Sequence, residues 1–162
     1  MRFKKNKKTI LTSKSITKLH GFYFEDLKVG MEASYIKTFA DTDVKSFSNI
    51  SGDTNPIHLN HDFASETLFK GKVIHGMLTA SLISTVIGTK LPGPGCIYVE
   101  QELRFKAPVR VGDIVTAFCK VKKIIPDTHM IKMYTRCTVT SKVVLEGEAT
   151  ILVPIKPGVL ED

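Results

Sequence analysis

Hydrophobic residues in the first third of the chain follow a short strand pattern and then a helical one. Residues 31–39 predict a strand, and Asp41 or Thr42 can cap a helix that Gly52 ends. The apolar residues at helical spacing within it are Val44, Phe47 and Ile50. This part of the chain therefore predicts a strand and then a helix with one apolar face.

The most hydrophobic segment is residues 73–91, which carries apolar side chains around most of its circumference when drawn as a helix. A helix that is apolar nearly all round must be buried. The run Leu91–Gly95, which contains two prolines and two glycines, ends it. A shorter helical segment is predicted near residues 62–69, just ahead of the buried helix.

The second half of the chain changes to a period of two, which is typical of strands. Four stretches rich in alternating or β-branched residues, with turn residues between them, are 97–105, 114–125, 130–140 and 143–153. One strand, then helices, then four strands indicate the α+β class. We expect a curved antiparallel sheet around one long buried helix.

Positive charge is concentrated at the amino terminus. The 162 residues include 23 Lys and Arg against 16 Asp and Glu, a formal net charge of +7. Residues 1–20 hold seven basic residues and no acidic one, so 16 of each sign remain for residues 21–162. We expect a disordered basic tail at 1–20 and a single domain at 21–162. A neutral domain argues against a nucleic-acid partner, because affinity would rest on the tail alone.

The composition also bears on the compartment. No apolar run approaches the roughly 20 residues of a membrane-spanning helix, so no membrane insertion is expected. Cys96, Cys119 and Cys137 are widely spaced and odd in number, which favours buried free thiols in a reducing compartment. We expect a cytoplasmic protein, and a mitochondrial matrix location is the alternative if the basic tail is a transit peptide.

The stretch from Ile50 to His58 sets an acid, an amide and an imidazole around a glycine and a proline. In a regular helix Asp53 and His58 would point about 140° apart, but Pro56 disfavours helix at Asn55. A bent loop can therefore direct both side chains at one point, and we expect Asn55 to fix that loop. A carboxylate and an imidazole that converge on one water form a general acid/base site.

His75 and Gly76 stand where the buried helix is expected to begin. The first N–H groups of a helix have no internal partner, and the helix dipole there favours negative charge. Gly76 would let a ligand oxygen approach its N–H closely, as in an oxyanion site; tight packing of helix on sheet is the alternative reason for a glycine. Ser84, two turns further along, can support the site, although a serine in a buried helix commonly bonds the carbonyl four residues back.

Other chemistries find less support. His58, His61, Asp62 and His75 lack a third ligand at the spacing of a recognised metal site, so no metal is expected. A serine-nucleophile site would need a G-x-S-x-G elbow, which the sequence lacks. Phosphate-binding and dinucleotide-binding glycine motifs are missing as well.

Several motifs together resemble the MaoC-like (R)-specific enoyl-CoA hydratases. The segments that carry the likeness are FSNISGDTNPIH (47–58), HGM (75–77), LPGPG (91–95) and FKAPVRVGD (105–113). The likeness covers roughly residues 24–153. Within it, the stretch His58–Ala64 is especially similar to the mitochondrial 3-hydroxyacyl-thioester dehydratases.

The resemblance implies a hot-dog fold, in which the sheet wraps around the helix that starts near Gly76, and a homodimer whose two sheets join beside an acyl tunnel. It implies reversible hydration of trans-2-enoyl thioesters to (R)-3-hydroxyacyl thioesters in fatty acid metabolism, without a cofactor. Asp53 and His58 are then catalytic, the Gly76 amide holds the thioester oxygen, and Ser84 supports the site. The substrate is carried by coenzyme A or by an acyl carrier protein.

Two basic residues, Lys106 and Arg110, flank the turn after the first strand of the second half and are candidates for the phosphates of coenzyme A or of a carrier. Two alternative functions remain on the same fold. One is an acyl-CoA thioesterase, and the other is a non-catalytic acyl-thioester-binding protein.

Overall fold

The computed structural model describes residues 19–158. Its strands form one antiparallel sheet in the order β1-β3-β4-β5-β2. Their bounds are Glu32–Thr38 (β1), Ile97–Phe105 (β2), Ile114–Ile125 (β3), Met130–Val139 (β4) and Lys142–Leu152 (β5). Every predicted strand is confirmed, and each end lies within one residue of the prediction.

The α-helices of the described chain are Asp41–Ser51 (α1), Pro56–Leu59 (α2), His61–Ser65 (α3) and Gly76–Thr89 (α4). Helix α4 lies across the sheet and packs chiefly on β3, β1 and β4. The core-facing residues of α4 are Leu82, Ile83, Val86 and Ile87, which are buried in the cluster that includes the inward side chains of β3 and β4. The predicted α+β class is confirmed.

The cap of α1 differs from the prediction. Ala40 is the N-cap residue, and the Asp43 carboxylate accepts a hydrogen bond from the Ala40 N–H at 2.8 Å. Neither Asp41 nor Thr42 therefore caps the helix, because an acidic residue in the first turn supplies the missing acceptor. Gly52 ends the helix as predicted, with the positive φ of 78° that favours glycine.

The apolar face of α1 is also narrower than predicted. Val44 is 1% exposed, whereas Ile50 is 86% exposed. Six residues advance a helix by about 600°, so Ile50 is rotated about 120° from Val44. The buried position one turn after Val44 is filled by Ser48, a polar residue whose hydroxyl contacts the site described below.

Helix α4 begins later than the hydrophobic pattern indicated, and it is not buried all round. Val73 and Ile74 are extended: the Val73 N–H donates to the Ile57 carbonyl at 3.2 Å and the Ile74 N–H to the Val109 carbonyl at 2.7 Å. The exposed side chains of α4 include Met77, Ser81 and Ser84. The predicted helix over 62–69 is likewise shorter and ends at Ser65.

Strand β2 has the most exposed side chains of the five strands. In the described part of the chain it pairs only with β5, and its side chains are exposed except for Gln101 and Leu103, which are half-buried. The two strands approach closely at Gly147, where a Cβ atom would come within 1.8 Å of the Glu102 carbonyl oxygen. Glycine at this position of β5 is therefore required for β2 to stay in the sheet.

The three cysteines are free thiols, as predicted. Cys119 and Cys137 are buried, and Cys96 is half-buried. Burial raises the pKa of Cys119 to about 12 and that of Cys137 to about 12. Their thiols therefore stay protonated and belong to the core rather than to reactive chemistry.

The basic tail predicted at 1–20 lies outside the described residues except for its last two. Of these, His20 stacks on Tyr23 with ring centroids 4.2 Å apart. Within residues 19–158 no helix is both long enough and apolar enough to cross a membrane.

Two substitutions in α1 test its burial pattern. Val44→Ala is expected to lower the free energy of unfolding by about 2 kcal/mol, because it removes buried methyl groups and leaves a cavity. Ile50→Ala removes a β-branched side chain from the same helix at an exposed position and should change it by less than about 0.5 kcal/mol. Urea denaturation of both variants measures the difference, and equal losses would contradict the assigned face.

Candidate active site

A cavity of about 630 Å³ opens beside the amino-terminal end of α4. Five of the residues singled out in the sequence line it, namely Asp53, His58, His75, Gly76 and Lys106. Most of the remaining wall is apolar and includes Leu68, Phe69, Phe105, Val144 and Leu145. The structure thus places the predicted acid, imidazole and helix start around one mainly apolar space.

The turn that delivers His58 to this cavity is a one-turn helix rather than a bent loop. The Asn55 side chain accepts a hydrogen bond from the Ile57 N–H at 3.2 Å, which caps α2. Pro56 takes the first helical position, where no N–H is needed. His58 follows in the same turn and is only 8% exposed. Asn55 therefore acts on the backbone and does not line the cavity.

One hydrogen bond determines the tautomer of His58. Its Nδ1 lies 2.8 Å from the Val73 carbonyl oxygen. Because a carbonyl oxygen only accepts, Nδ1 carries the hydrogen and Nε2 keeps its lone pair in the neutral ring. Burial holds the pKa of His58 below its ordinary 6.5, although the Val73 hydrogen bond and the nearby Asp53 oppose the shift. His58 is therefore a neutral base near pH 7.

Asp53 lies in the segment between α1 and α2, with its side chain 50% exposed. Its Oδ1 accepts a hydrogen bond from the Asn55 N–H at 3.2 Å, and its own N–H donates to Ser51 Oγ at 3.1 Å. These two local bonds fix the segment after the chain turns at Gly52. The carboxylate is held at the cavity with solvent access, so it can bind a water molecule there.

Gly76 is the first residue of α4, so its N–H has no acceptor within the helix. The Phe105 ring lies directly against it, since a Cβ atom at position 76 would come within 2.7 Å of the ring. Both reasons considered for a glycine therefore apply. Gly76 allows close packing against β2, and it leaves a free helical N–H at the wall of the cavity.

His75 is a site residue to which sequence reasoning gave no chemical role. It is the N-cap residue of α4 and is 1% exposed. Its ring stacks on that of His58 with centroids 3.8 Å apart, and its Nε2 lies 3.0 Å from the Asp53 carbonyl oxygen. A histidine at the edge of an apolar segment was the available signal, but its contact with Asp53 exists only in the folded chain.

Ser84 is placed away from the cavity. It is exposed on α4 and does not line the cavity. Eight residues advance a helix by about 800°, so Ser84 is rotated about 80° from Gly76 and does not face the same line. Within the described part of one chain, Ser84 therefore makes no contact with the cavity that would support the expected role.

The two basic candidates differ in their surroundings. Lys106 lines the cavity and pairs with Glu146 at 2.9 Å. The Arg110 guanidinium donates hydrogen bonds to the carbonyl oxygens of Phe69 and Lys72, in the segment that leads to α4. Arg110 thus braces that segment, and its contact with a phosphate stays a prediction.

Three potential metal donors come together in a combination the sequence did not indicate. Asp53, His58 and His75 each have a donor atom within 4.8 Å of the others. A metal would require a lone pair from each ring. Nε2 of His75 faces the Asp53 carbonyl oxygen and so carries a hydrogen, while its Nδ1 is buried. The hydrogen bonds therefore suit acid/base chemistry better than metal binding, and the lack of a metal requirement stays a prediction.

Comparison of the sequence with known proteins agrees with this site. Residues 25–143 match the MaoC like domain. The (R)-specific enoyl-CoA hydratase of Rhodospirillum rubrum is 53% identical over 134 residues, which cover 83% of this chain and 93% of that protein. The mitochondrial 3-hydroxyacyl-[acyl-carrier-protein] dehydratase FERN of Solanum lycopersicum is 37% identical over 131 residues, which cover 79% and 78%. Over the whole match the mitochondrial relative is therefore less similar to this chain than the Rhodospirillum rubrum hydratase is.

Comparison of the folds leads to the same group. The unliganded R-hydratase of Pseudomonas aeruginosa superimposes with a TM-score of 0.79 at 40% sequence identity, and the match covers 84% of this chain and 88% of that one. The antiparallel sheet wrapped around α4 is the hot-dog fold that the resemblance implied. By sequence over residues 25–143 and by fold, this chain belongs to the MaoC-like family.

Proposed function

We propose that this protein catalyses the reversible hydration of trans-2-enoyl-CoA thioesters to (R)-3-hydroxyacyl-CoA thioesters. The observation that carries the proposal is the meeting of three groups at one apolar cavity: the Asp53 carboxylate, the neutral His58 imidazole and the free N–H at Gly76. The name of the Rhodospirillum rubrum relative, an (R)-specific enoyl-CoA hydratase, supports both the carrier and the stereochemistry.

The first step is addition of water. A water molecule held between Asp53 and His58 gives one proton to His58 Nε2, and its oxygen forms a bond to C3 of the substrate. The electron pair of the C2=C3 double bond moves toward the thioester carbonyl and produces an enolate. Because Nδ1 donates to the Val73 carbonyl, Nε2 is the ring nitrogen that can accept the proton.

The second step returns a proton to the substrate. The enolate collapses as C2 takes a proton from the Asp53–His58 pair, so that one water has added as OH at C3 and H at C2. Nothing is oxidised or reduced, and the reaction requires no redox cofactor. Dehydration is the same path in reverse, and the relative concentrations of the two thioesters set the direction.

The start of α4 stabilises the intermediate charge. As the double bond reacts, negative charge grows on the thioester oxygen, and the Gly76 N–H together with the helix dipole favours that charge. The apolar walls strengthen the effect, because such an interaction is larger where water is excluded. The same walls, which include Leu68 and Phe69, suit an acyl chain, and Lys106 offers a cation where the cavity meets solvent.

We also propose a homodimer that forms along β2. This strand has apolar side chains exposed, among them Ile97, Val99 and Phe105, and its outer edge has no partner strand among residues 19–158. An exposed apolar edge strand invites pairing with another strand. At the opposite edge one carbonyl of β1 is already bonded, because Lys90 Nζ donates a hydrogen bond to the Ser34 carbonyl at 2.7 Å. We therefore favour β2 as the edge that pairs.

Turnover of crotonyl-CoA tests the function. The wild type is expected to remove the enoyl absorbance without releasing free thiol. Asp53→Asn and His58→Ala should each lower kcat roughly 100- to 10,000-fold, the range that general acid/base groups contribute. Asp62→Asn and His61→Ala change the same residue types at exposed positions of α3 and should leave kcat unchanged.

Two results of that assay would count against the proposal. Release of free thiol at the rate of substrate loss would identify the thioesterase alternative. A wild type that converts no thioester of any chain length, on coenzyme A or on an acyl carrier, would leave only the non-catalytic alternative. Near-normal rates in both Asp53→Asn and His58→Ala would overturn the assigned roles.

The pH dependence of kcat/KM should have its acid limb below 6.5. His58 must be neutral to act as the base, and burial lowers its pKa below that value. Activity is therefore kept as pH falls through 6.5 and is lost only as pH falls through the lowered pKa. Folding stability depends on pH in the same direction. Because the unfolded chain binds the proton first as pH falls, the stability that neutral His58 contributes above 6.5 is lost as pH falls through the lowered pKa. A limb at or above 6.5 would contradict the buried, neutral base.

Light scattering after gel filtration tests the dimer. The wild type should have twice the mass of one 18.0 kDa chain. Val99→Lys places a charge on β2 and should shift the protein toward monomer, while Ile36→Lys makes a comparable change at an exposed position of β1 and should not. A monomeric wild type, or equal effects of the two substitutions, would rule out pairing along β2.

A further inference from the structure

We propose that His75 is a positioning residue that holds Asp53 and His58 in register, acting as a neutral imidazole with its hydrogen on Nε2. It does so by two contacts at once, one to the Asp53 backbone and one to the face of the His58 ring. The proposal rests on the proposed function, because it concerns how the two catalytic side chains are kept together.

The hydrogen bonds of His75 establish the tautomer. Its Nε2 lies 3.0 Å from the Asp53 carbonyl oxygen and 3.3 Å from Ser48 Oγ. The carbonyl oxygen has no hydrogen to give, so Nε2 must be the donor. Nδ1 is buried and has no partner among the described residues. A hydrogen on Nδ1 would leave a buried donor without an acceptor, which is rare in proteins, so the ring is neutral.

Two neighbouring rings pack against the ring of His75. His58 stacks on one side with centroids 3.8 Å apart and planes 30° apart, and Phe47 of α1 packs at 4.9 Å in a tilted arrangement. The His58 ring is thus fixed in its own plane by the Val73 carbonyl and across that plane by His75. Any shift of His75 would move the Asp53 backbone and the His58 ring together.

Neutrality of His75 also protects the charge that His58 gains during the reaction. The titratable groups that face the two rings are Asp53, whose Oδ2 lies 4.0 Å from His75 Nε2, and the rings themselves. The neighbours from α1, Phe47 and Ser48, are uncharged, and Val73 contributes only its carbonyl. A second positive imidazole at 3.8 Å would oppose protonation of His58, whereas a neutral ring does not.

Two substitutions separate the contacts. His75→Phe keeps a ring beneath His58 and removes the donor to the Asp53 carbonyl, while His75→Gln keeps a donor near the position of Nε2 and removes the ring. Each is expected to lower kcat for crotonyl-CoA hydration about 10- to 100-fold, because a shift of about 1 Å in a reacting group has effects of this size. KM should change by less than about threefold, since His75 itself is buried.

The acid limb of kcat/KM provides a readout that a purely structural role would not move. In His75→Gln the ring that helps to bury His58 is lost, so the limb should shift upward toward 6.5. In His75→Phe the ring remains and the limb should stay in place. The matched controls are His61→Phe and His61→Gln on the exposed face of α3, which should leave kcat and the limb unchanged.

The outcomes distinguish this inference from the function on which it rests. A wild type without hydratase activity refutes the proposed function. An active wild type with full kcat in His75→Phe and His75→Gln refutes the positioning role. If the acid limb of kcat/KM moves equally in His75→Phe and His75→Gln, then the ring and the hydrogen-bond donor of His75 do not act separately.

A measurement on the wild type covers the case in which the variants do not fold. Nitrogen NMR of the imidazoles near neutral pH should show His75 hydrogenated at Nε2 and not at Nδ1. His58 should be hydrogenated at Nδ1 and titrate below 6.5. A hydrogen on Nδ1 of His75 would overturn the inference.

Discussion

The hydrogen bond from His58 Nδ1 to the Val73 carbonyl oxygen, at 2.8 Å, is the interaction on which the site depends. It selects the tautomer, leaves Nε2 as the base and turns the ring toward the cavity. Val73 can serve as the acceptor because backbone bonds hold its segment on both sides, from Val73 to Ile57 and from Ile74 to Val109. A loop of ordinary mobility would not keep a carbonyl in this position, so the orientation of His58 is set by main chain that the surrounding segments fix.

This constraint also explains why α4 starts three residues later than its hydrophobic pattern. If the helix began at Val73, that carbonyl would accept the N–H of Met77 four residues on and would be unavailable to His58. The extended segment instead ends at His75, and the first free helical N–H falls at Gly76, on the wall of the same cavity. Arg110 reinforces the arrangement by donating to the carbonyls of the preceding segment. The start of α4 at Gly76 therefore accounts for both the orientation of the base and the position of the oxyanion site.

The parts of the fold that the sequence predicts are those where local pattern and tertiary structure agree. The strands follow from β-branched residues alternating between turns, and Gly52 and the cavity-lining Asp53 and His58 follow from turn chemistry. The apolar pattern alone would start α4 at Val73, because apolar residues of a buried non-helical segment and of a buried helix look alike over three positions, whereas the expected start at His75 and Gly76 is confirmed. The supporting role of Ser84 stays a prediction, and within one chain Ser84 is rotated about 80° from Gly76, as its spacing of eight residues already gives. The contact between His75 and Asp53 needed the fold, since 22 residues separate them.

The stability of the core alone does not account for a histidine at position 75. A buried imidazole whose Nδ1 has no partner is less favourable than an apolar ring of the same size. Its one strong hydrogen bond goes to the Asp53 backbone, in a segment that is otherwise exposed and tied only by local bonds. Without that bond the half-exposed acid would be attached to the protein mainly through its own turn. The buried polar ring is therefore best understood as the link between the half-exposed segment that carries Asp53 and the buried base His58, and it lowers the stability of the core around it.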